Sequence, residues 1–428
     1  MTIRSLIDEY RWRGMLADAT EGAEAALAGG AQSIYNGFDP TASSLHVGSL
    51  VPIMGLVHAQ RAGHTPIALV GGGTGLIGDP SGKSGERVLL DRDVARENTE
   101  CIRGQLEAFL DFSAAANPAR IVDNFEWLGK TGVLEFLRDV GKHFPVGAML
   151  GKESIRRRLD GETGISFTEF AYLLLQSYDF YRLFRDHGCR VQAGGRDQWG
   201  NITAGVELIR RITGERAYGV VFPLLMTSTG TKFGKTEAGT VWLDPERTSP
   251  YRFFQYWLNT ADADAGRYLR LFTLLGQEEI EELEEAARDR PHLRPMQRVL
   301  AKEVTRRVHG ETEASRARKA SEALFGGGDL RGLRPGEIED IFADVPSSSL
   351  AAEQLAGDGI ALPVLLADVT LVPSRAAARR AIEQGGVYLN GERVSGAGFR
   401  VRSEHALHGK FVVLRRGKKS YHLVRVEN

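Results

Sequence analysis

Between residues 33 and 70 the apolar pattern changes period twice. SIYNGF (33–38) is a short apolar run ending at Asp39-Pro40, where a turn is expected. Leu50, Ile53, Met54 and Val57 then recur at i, i+3, i+4 and i+7, the spacing of one helix face. Pro52 fits a helix that starts near Gly48 or Ser49, because first-turn amides have no intrahelical acceptor. Gly63 ends that helix, and PIALVGG (66–72) reads as a buried strand. Strand, helix and strand in this order make a βαβ unit, and hence a parallel sheet.

Further along, 165–187 is a long apolar helix, and 250–325 reads as mostly helical with acid-rich faces such as EEIEELEEAARD. GGG at 326–328 and PSSS at 346–349 suggest a linker. From about 361 a compact module follows: a basic helix (SRAAARRAIEQ), a turn at Gly385-Gly386 and short strands (VYLN, FVVLRR, YHLVRV). Asn390-Gly391 is a hairpin signal. No internal repeat is visible.

A chain of 428 residues predicts two or three domains, and 42% hydrophobic with 25% charged residues supports ordinary packed cores. Cys101 and Cys189 are far apart and no CxxC pair exists, which argues against a disulfide framework or zinc knuckle. The first residues carry no apolar signal region and no apolar run is long enough to span a bilayer, so a cytoplasmic location is expected. The net charge of −1 hides an asymmetry: residues 371–428 hold twelve Lys/Arg against four Asp/Glu, a net +8, and residues 1–370 carry −9. A basic tail suits a polyanion partner, or is a solvated charged surface; composition leaves both open.

GGGTGLIGDPSGKS (71–84) contains two decoys. Gly73, Gly75 and Gly78 match the dinucleotide fingerprint, which needs a helix to open there; Pro80 and Gly82 follow instead. SGKS resembles the end of a P-loop, but Ile77 stands where the first glycine belongs. What remains is a glycine-rich wall that lets a ligand approach closely, with Asp79 at its end. His46-Val47-Gly48-Ser49 sits where strand gives way to helix; a helix N-terminus there stabilises phosphate, and a histidine beside it can donate to developing negative charge. In KFGKT (232–236) two lysines flank a glycine, a phosphate clamp if they close over a nucleotide and a solvated loop if the motif stands alone. Tyr172, Gln176 and Asp179 lie at i, i+4 and i+7 on an otherwise apolar helix, so this polar stripe is expected to line a buried cavity.

Together, YNGFDPTASSLHVGS, ALVGGGTGLIGDPSGK, GISFTEFAYLLLQSYDF, GGRDQWGNI, KFGKTEAGTVWLD and SRAAARRAIEQGGVYLNGERV resemble the class I aminoacyl-tRNA synthetases, specifically the bacterial tyrosyl-tRNA synthetase family, over nearly the whole chain. The resemblance implies an α/β fold: a Rossmann-like parallel-sheet catalytic domain (1–247), an α-helical domain (248–328), a linker (329–360) and a small α+β S4-like RNA-binding domain (361–428). It implies tyrosine–tRNA ligase activity, in which the carboxylate of L-tyrosine attacks the α-phosphate of ATP and the tyrosyl group then passes to the terminal ribose of tRNA(Tyr). A carboxylate with a pKa of about 3.5 is already ionised at neutral pH, so the first step needs no general base, and catalysis is positioning plus charge stabilisation.

By this resemblance His46, Ser49, Lys83, Arg87, Lys232, Lys235 and Thr236 serve the phosphates. Gly37, Asp39, Thr41, His46, Gly48, Gly195, Asp197, Gln198, Leu225 and Lys235 hold ATP. Tyr35 and Asp179 meet the phenol hydroxyl, Tyr172, Gln176 and Asp79 the α-ammonium, and Asn124 helps to order the pocket. A site built to bond a hydroxyl penalises the analogue that lacks it, tyrosyl-tRNA synthetases rejecting phenylalanine being the standard instance of that rule. Arg375, Arg379, Arg380, Arg415, Arg416, Lys418 and Lys419 are the candidate RNA-binding residues. Mg2+ is expected to arrive with ATP, with no protein-bound metal or organic cofactor; the family is a homodimer, GISFTEF resembles its interface helix, and neither DNA nor membrane is an expected partner. Two motifs depart from the family: Ser49 replaces the second histidine of HIGH, and KMSKS becomes KFGKT, which keeps both lysines and the terminal hydroxyl. The alternatives are an inactive synthetase-like RNA-binding protein, a nucleotidyltransferase of the same fold, and the tryptophan-specific sibling.

Overall fold

The computed structural model describes residues 5–80, 89–160, 164–231, 233–236, 239–326, 330–343, 345–417 and 420–427, with the backbone alone for 153, 154, 157, 235, 236 and 323–326. They form two compact units: Met1–Thr248 with Thr260–Leu300, and Ser249–Asn259 with Ala301–Asn428.

The first unit is built on a six-stranded sheet of β1 (Asp18–Ala19), β2 (Ser33–Phe38), β3 (Thr65–Val70), β4 (Arg120–Asp123), β5 (Cys189–Gly195) and β6 (Tyr218–Phe222), ordered β1-β6-β5-β2-β3-β4. Only β1 runs antiparallel. The expected βαβ unit is β2, the helix Leu50–Arg61 and β3, with Tyr35 opposite Ile67 and Phe38 opposite Val70. A single 3-10 turn, Val47–Ser49, precedes that helix, so Pro52 falls in its first turn, as the missing amide requires. From β2 the chain steps outward to β3 and β4 on one side, then to β5 and β6 on the other. The order therefore reverses between β2 and β5, the point at which an open parallel sheet presents a crevice at the carboxyl ends of its strands.

Over that crevice lies the helix Phe167–His187. Ser166 caps it by accepting from the Glu169 N–H at 3.3 Å, and Gly188, at φ 63°, closes it. Buried Glu169 takes two hydrogen bonds from the Arg158 guanidinium at 3.1 and 2.8 Å, which pins the first turn. The helix packs along Trp199–Thr213, and Phe180 and Leu183 enter a core with Tyr35, Ile67, Leu69 and Leu208. Near the end of the unit, β7 (Lys235–Thr236) and β8 (Gly239–Thr240) form a small antiparallel hairpin, and the helix Asp262–Phe272 follows.

The second unit carries β9 (Ser347–Ala351), β10 (Ile360–Ala361), β11 (Val387–Leu389), β12 (Glu392–Arg393), β13 (Arg400–Val401), β14 (Phe411–Arg416) and β15 (Ser420–Glu427). Five of these make a sheet ordered β12-β11-β14-β15-β9, and β10 pairs β13. Asn390 and Gly391, at φ 49° and 89°, turn β11 into β12 as the sequence predicts. The helices Leu362–Asp368 and Arg375–Glu383 cover a core of Leu362, Leu366, Ala378, Ile382, Val412 and Leu414.

Two features differ from expectation. Ser347–Ala351, inside the presumed linker, is a strand parallel to β15, and Leu330, Leu333, Ile338 and Phe342 are buried with Phe411, Val413 and Leu423. The Pro-Ser composition describes side chains, whereas a backbone ladder to β15 holds this strand. The helical stretch also does not stay together: Thr260–Leu300 groups with the first unit and Ala301 onward with the second. Among the described residues no helix is long and apolar enough to cross a membrane.

Candidate active site

At the reversal point, the carboxyl ends of β2 and β5 and the helix Phe167–His187 enclose a cavity of about 300 Å3. Eleven of the residues singled out from the sequence line it: Tyr35, Gly37, Asp39, Thr41, Asp79, Tyr172, Gln176, Asp179, Gly195, Asp197 and Gln198. The glycine wall makes this possible. A side chain at Gly71 would place its Cβ 2.1 Å from Asp39 Oδ1, so the strand end approaches Asp39 only as glycine. Among the described residues no α-helix opens directly after it, only the 3-10 turn Thr74–Leu76, in keeping with the rejected dinucleotide fingerprint.

One end of the cavity is buried and sparingly polar. Tyr35 is 1% exposed, its ring tilted against Phe180 at 5.3 Å, and its hydroxyl has no hydrogen-bond partner among the described residues. Burial, reinforced by the charge of Asp179, holds this phenol well above its usual range, so it remains a neutral donor. Asp179, also 1% exposed, accepts from Asn124 Nδ2 at 2.9 Å and from Trp127 Nε1 at 2.7 Å, one donor on each carboxylate oxygen. Burial pushes its pKa up to about 8, while the two N–H donors favour the charged form. An unpaired hydroxyl beside a carboxylate with acceptor capacity left over is what a ligand hydroxyl requires, since it both donates and accepts.

Toward the strand ends the cavity becomes acidic. Tyr172 donates its hydroxyl to Asp39 Oδ2 at 2.7 Å, and Thr74 donates to Asp39 Oδ1 at 2.8 Å. Gln198 Nε2 donates to Asp79 at 2.6 Å, while Asn201 Nδ2 bridges Gln176 Oε1 at 2.9 Å and Gln198 Oε1 at 3.0 Å. Asn124 stands behind the lining. Its Oδ1 accepts the Gly73 N–H at 2.7 Å, and its Nδ2 reaches Thr74 Oγ1 and Asp179 at 2.9 Å each. The wall and the buried carboxylate are thereby fixed to each other, and Asp39, Asp79 and Asp197 add acidic groups to the cavity lining.

On the outer side, His46 caps the 3-10 turn, its Nδ1 accepting the Gly48 N–H at 3.0 Å. A neutral ring so held carries its proton on Nε2. Val47 donates to Val241 at 3.0 Å and Leu243 to Leu45 at 2.9 Å, and Val241 donates to Gly234 at 3.2 Å. HVGS is thus laced to the hairpin that bears KFGKT. Gly234, at φ 83°, would put a Cβ 2.8 Å from Val47 Cγ2, so both its conformation and its clearance require glycine. Ser49 donates its N–H to His46 O at 2.8 Å and makes no side-chain cap. Leu225 is buried beside the loop, accepting from the Phe233 N–H at 3.3 Å. Leu225, His46, Gly48, Ser49 and Asn124 do not line the cavity itself. Lys83, Arg87 and Lys232 lie outside the described residues, as do the side chains of Lys235 and Thr236.

Residues 28–326 match the profile of the tRNA synthetases class I (W and Y), and residues 337–424 match the tyrosine–tRNA ligase SYY-like C-terminal domain. A tyrosine–tRNA ligase of Roseiflexus castenholzii is 53% identical over 99% of both chains, and one of Bacillus caldotenax is 52% identical over 98% of this chain and 99% of that one. The chain belongs to the tyrosine–tRNA ligase family of class I tRNA synthetases. A C-terminally truncated mitochondrial tyrosyl-tRNA synthetase of Aspergillus nidulans has the same architecture, with a TM-score of 0.70 at 30% identity over 75% of this chain and 94% of that one. A tryptophanyl-tRNA synthetase of Encephalitozoon cuniculi bound to tryptophan shares the fold at a TM-score of 0.52 and 13% identity, covering 73% of this chain and 87% of that one.

Within this family chain, Arg375, Arg379 and Arg380 are exposed on the helix Arg375–Glu383. Arg415 instead stacks on the Tyr388 ring at 3.8 Å and is half-buried, Arg416 is exposed, and Lys418 and Lys419 lie outside the described residues. Sequence reasoning missed Trp127, Thr74, Gln192 and Asn201. Trp127 reaches Asp179 across 52 positions of chain, a contact no local period announces.

Proposed function

We propose that this chain activates L-tyrosine with ATP and transfers the tyrosyl group to tRNA(Tyr), with the amino acid seated in the cavity between β2 and β5. The observation that carries the reading is the pairing of the unpartnered Tyr35 hydroxyl with the doubly held Asp179 carboxylate. The substrate phenol donates to Asp179 and accepts from Tyr35. Its ammonium lies toward Tyr172, Gln176 and Asp79, which directs its carboxylate to the open side. The carboxylate oxygen attacks the α-phosphorus of ATP, the bond to the departing pyrophosphate breaks opposite, and no proton needs to move. Asp39, Thr41, Gly195, Asp197 and Gln198 hold the adenosine. His46 and the lysines of KFGKT meet the phosphates on the side where Val47 is bonded to Val241 and Val241 to Gly234, and Mg2+ enters as part of the nucleotide substrate.

The pocket favours tyrosine over tryptophan, because an indole N–H donates but has no oxygen to accept from Tyr35. The basic helix Arg375–Glu383 serves the tRNA backbone. Exposed apolar side chains between positions 133 and 167 support the homodimer: Val133, Leu134 and Phe167 are 70%, 80% and 77% exposed, and Leu137, Val146 and Leu150 are exposed as well. Exposed apolar groups in this number mark an interaction surface. A cytoplasmic location accords with these substrates. ATP–pyrophosphate exchange with tyrosine, tryptophan and phenylalanine tests the reading. Exchange dependent on tyrosine is expected, and equal or greater exchange with tryptophan would overturn it.

A further inference from the structure

We propose that Asp264 is a positioning residue for adenylate formation, fixing the base of the KFGKT loop from a helix that carries none of the signature motifs. The inference rests on the reading of KFGKT as the phosphate clamp and adds to it the element against which the clamp is set. Asp264 lies in the first turn of the helix Asp262–Phe272 and is buried. Its Oδ2 accepts the Ser228 N–H at 3.0 Å and the Ser228 hydroxyl at 2.9 Å, and Oδ1 lies 3.2 Å from the same amide. A buried carboxylate that takes both donors of one loop residue is a strong, directional tether.

Ser228 sits four residues before Lys232, and the intervening chain is a closed turn. Gly230 donates to Thr227 O and Thr227 to Thr231 O, both at 2.9 Å, and the Thr227 hydroxyl meets those of Thr229 and Thr231 at 2.8 and 2.7 Å. Displacing Ser228 would therefore displace the approach to Lys232. One residue after Lys232, buried Phe233 packs on Tyr268 at 5.0 Å and stacks on Phe272 at 5.2 Å. Asp264, Tyr268 and Phe272 are spaced i, i+4 and i+8, one face of one helix. The chain entering Lys232 and the chain leaving it are thus held by the same helical face, and Gly234 then abuts Val47 of HVGS. A loop lysine stabilises a transition state only where its position is set beforehand. Asp264 itself contacts no substrate group and acts through Ser228.

The test uses the full-length protein, with Asp264→Ala, Asp264→Asn, Ser228→Ala and the double alanine variant. Equilibrium tyrosine binding without ATP and the pre-steady-state rate of tyrosyl-adenylate formation are measured for each. Asp264→Ala should slow adenylate formation by about tenfold or more, the scale of a lost charged hydrogen bond expressed in the transition state, while tyrosine Kd stays within about twofold. Asp264→Asn should recover part of the rate, because its amide oxygen still accepts from Ser228. The double variant should be no slower than Asp264→Ala alone. An unchanged rate in Asp264→Ala, or losses that multiply in the double variant, would overturn the proposal. Should Asp264→Ala fail to bind tyrosine, Ser228→Ala decides, a wild-type rate there overturning it. Lys235→Ala run in parallel separates the two layers: if it alone slows the reaction, the clamp stands and the tether falls; if it leaves the rate intact, the clamp reading itself falls.

Discussion

Replacing Tyr35 by phenylalanine separates recognition from folding more cleanly than any other change in the cavity. The Tyr35 hydroxyl is buried and has no partner among the described residues, so its removal breaks no bond within the unliganded protein. Leaving a buried hydroxyl unpaired costs about 1–3 kcal/mol, so Tyr35→Phe should keep or raise the melting temperature. With tyrosine bound, one neutral hydrogen bond is lost, worth about 0.5–1.5 kcal/mol, which lowers kcat/KM for tyrosine by roughly threefold to tenfold. Phenylalanine never used that bond, so its kcat/KM should not fall. Asp179→Asn should be harsher. The carboxylate already accepts from Asn124 and Trp127, and an amide nitrogen would face one of those donors. Loss of a charged acceptor costs about 1.5–3 kcal/mol, roughly ten- to a hundredfold in the tyrosine-to-phenylalanine ratio. The assay is pyrophosphate exchange with each amino acid, beside thermal unfolding of the apoprotein. An unchanged ratio in both variants, or a Tyr35→Phe protein several degrees less stable, would mean that Tyr35 and Asp179 do not hold the phenol.

Four further outcomes follow from the geometry. In the proposed seating Asp179 accepts the phenol more strongly as a charged carboxylate, and burial raises its pKa to about 8, so tyrosine Kd should fall as pH rises from 6.5 to 8, by at most about tenfold per unit, and Asp179→Asn should flatten that slope in calorimetric titrations. Lys235→Ala should slow adenylate formation far more than it weakens tyrosine binding; a poorer Kd with an unaltered rate constant, seen by stopped flow, would exclude the clamp. Changing Arg375, Arg379 and Arg380 together to alanine should raise the KM for tRNA and reduce the log–log salt dependence of tRNA binding by about two to three, with pyrophosphate exchange untouched; an unchanged salt slope would remove that helix from the RNA surface. Leu134→Glu should shift sedimentation from dimer toward monomer, and an unshifted sedimentation coefficient would exclude Leu134 from the dimer contact.

The parts of the fold with a local period were legible in the sequence. The βαβ unit over 33–70, the helix that begins at Leu50 and the Asn390-Gly391 hairpin each rest on neighbours a few residues apart, and each is present. The polar stripe of Tyr172, Gln176 and Asp179 was legible for the same reason, since a helical face is a local property. What was not legible depends on pairing at a distance. Trp127, and Asn124, which only the resemblance had singled out, converge on Asp179 because β4 ends beside β3 and the helix Phe167–His187 meets them there. Ser347–Ala351 reads as a polar connector and becomes a strand through its ladder to β15, seventy-six positions away at Leu350 and Val426. The division at Leu300 falls inside a stretch that reads as mostly helical, because what separates the units is which core each turn enters.

The proposal stands or falls on whether the cavity between β2 and β5 is shaped around a phenol hydroxyl. A crystal structure of the protein with L-tyrosine bound tests it most directly. The ligand oxygen should lie within about 3 Å of both the Tyr35 hydroxyl and an Asp179 carboxylate oxygen, with the α-carboxylate facing His46. A ligand seated in reverse, with its ammonium on Asp179 and its phenol toward Asp79, or one bound outside this cavity, would contradict it.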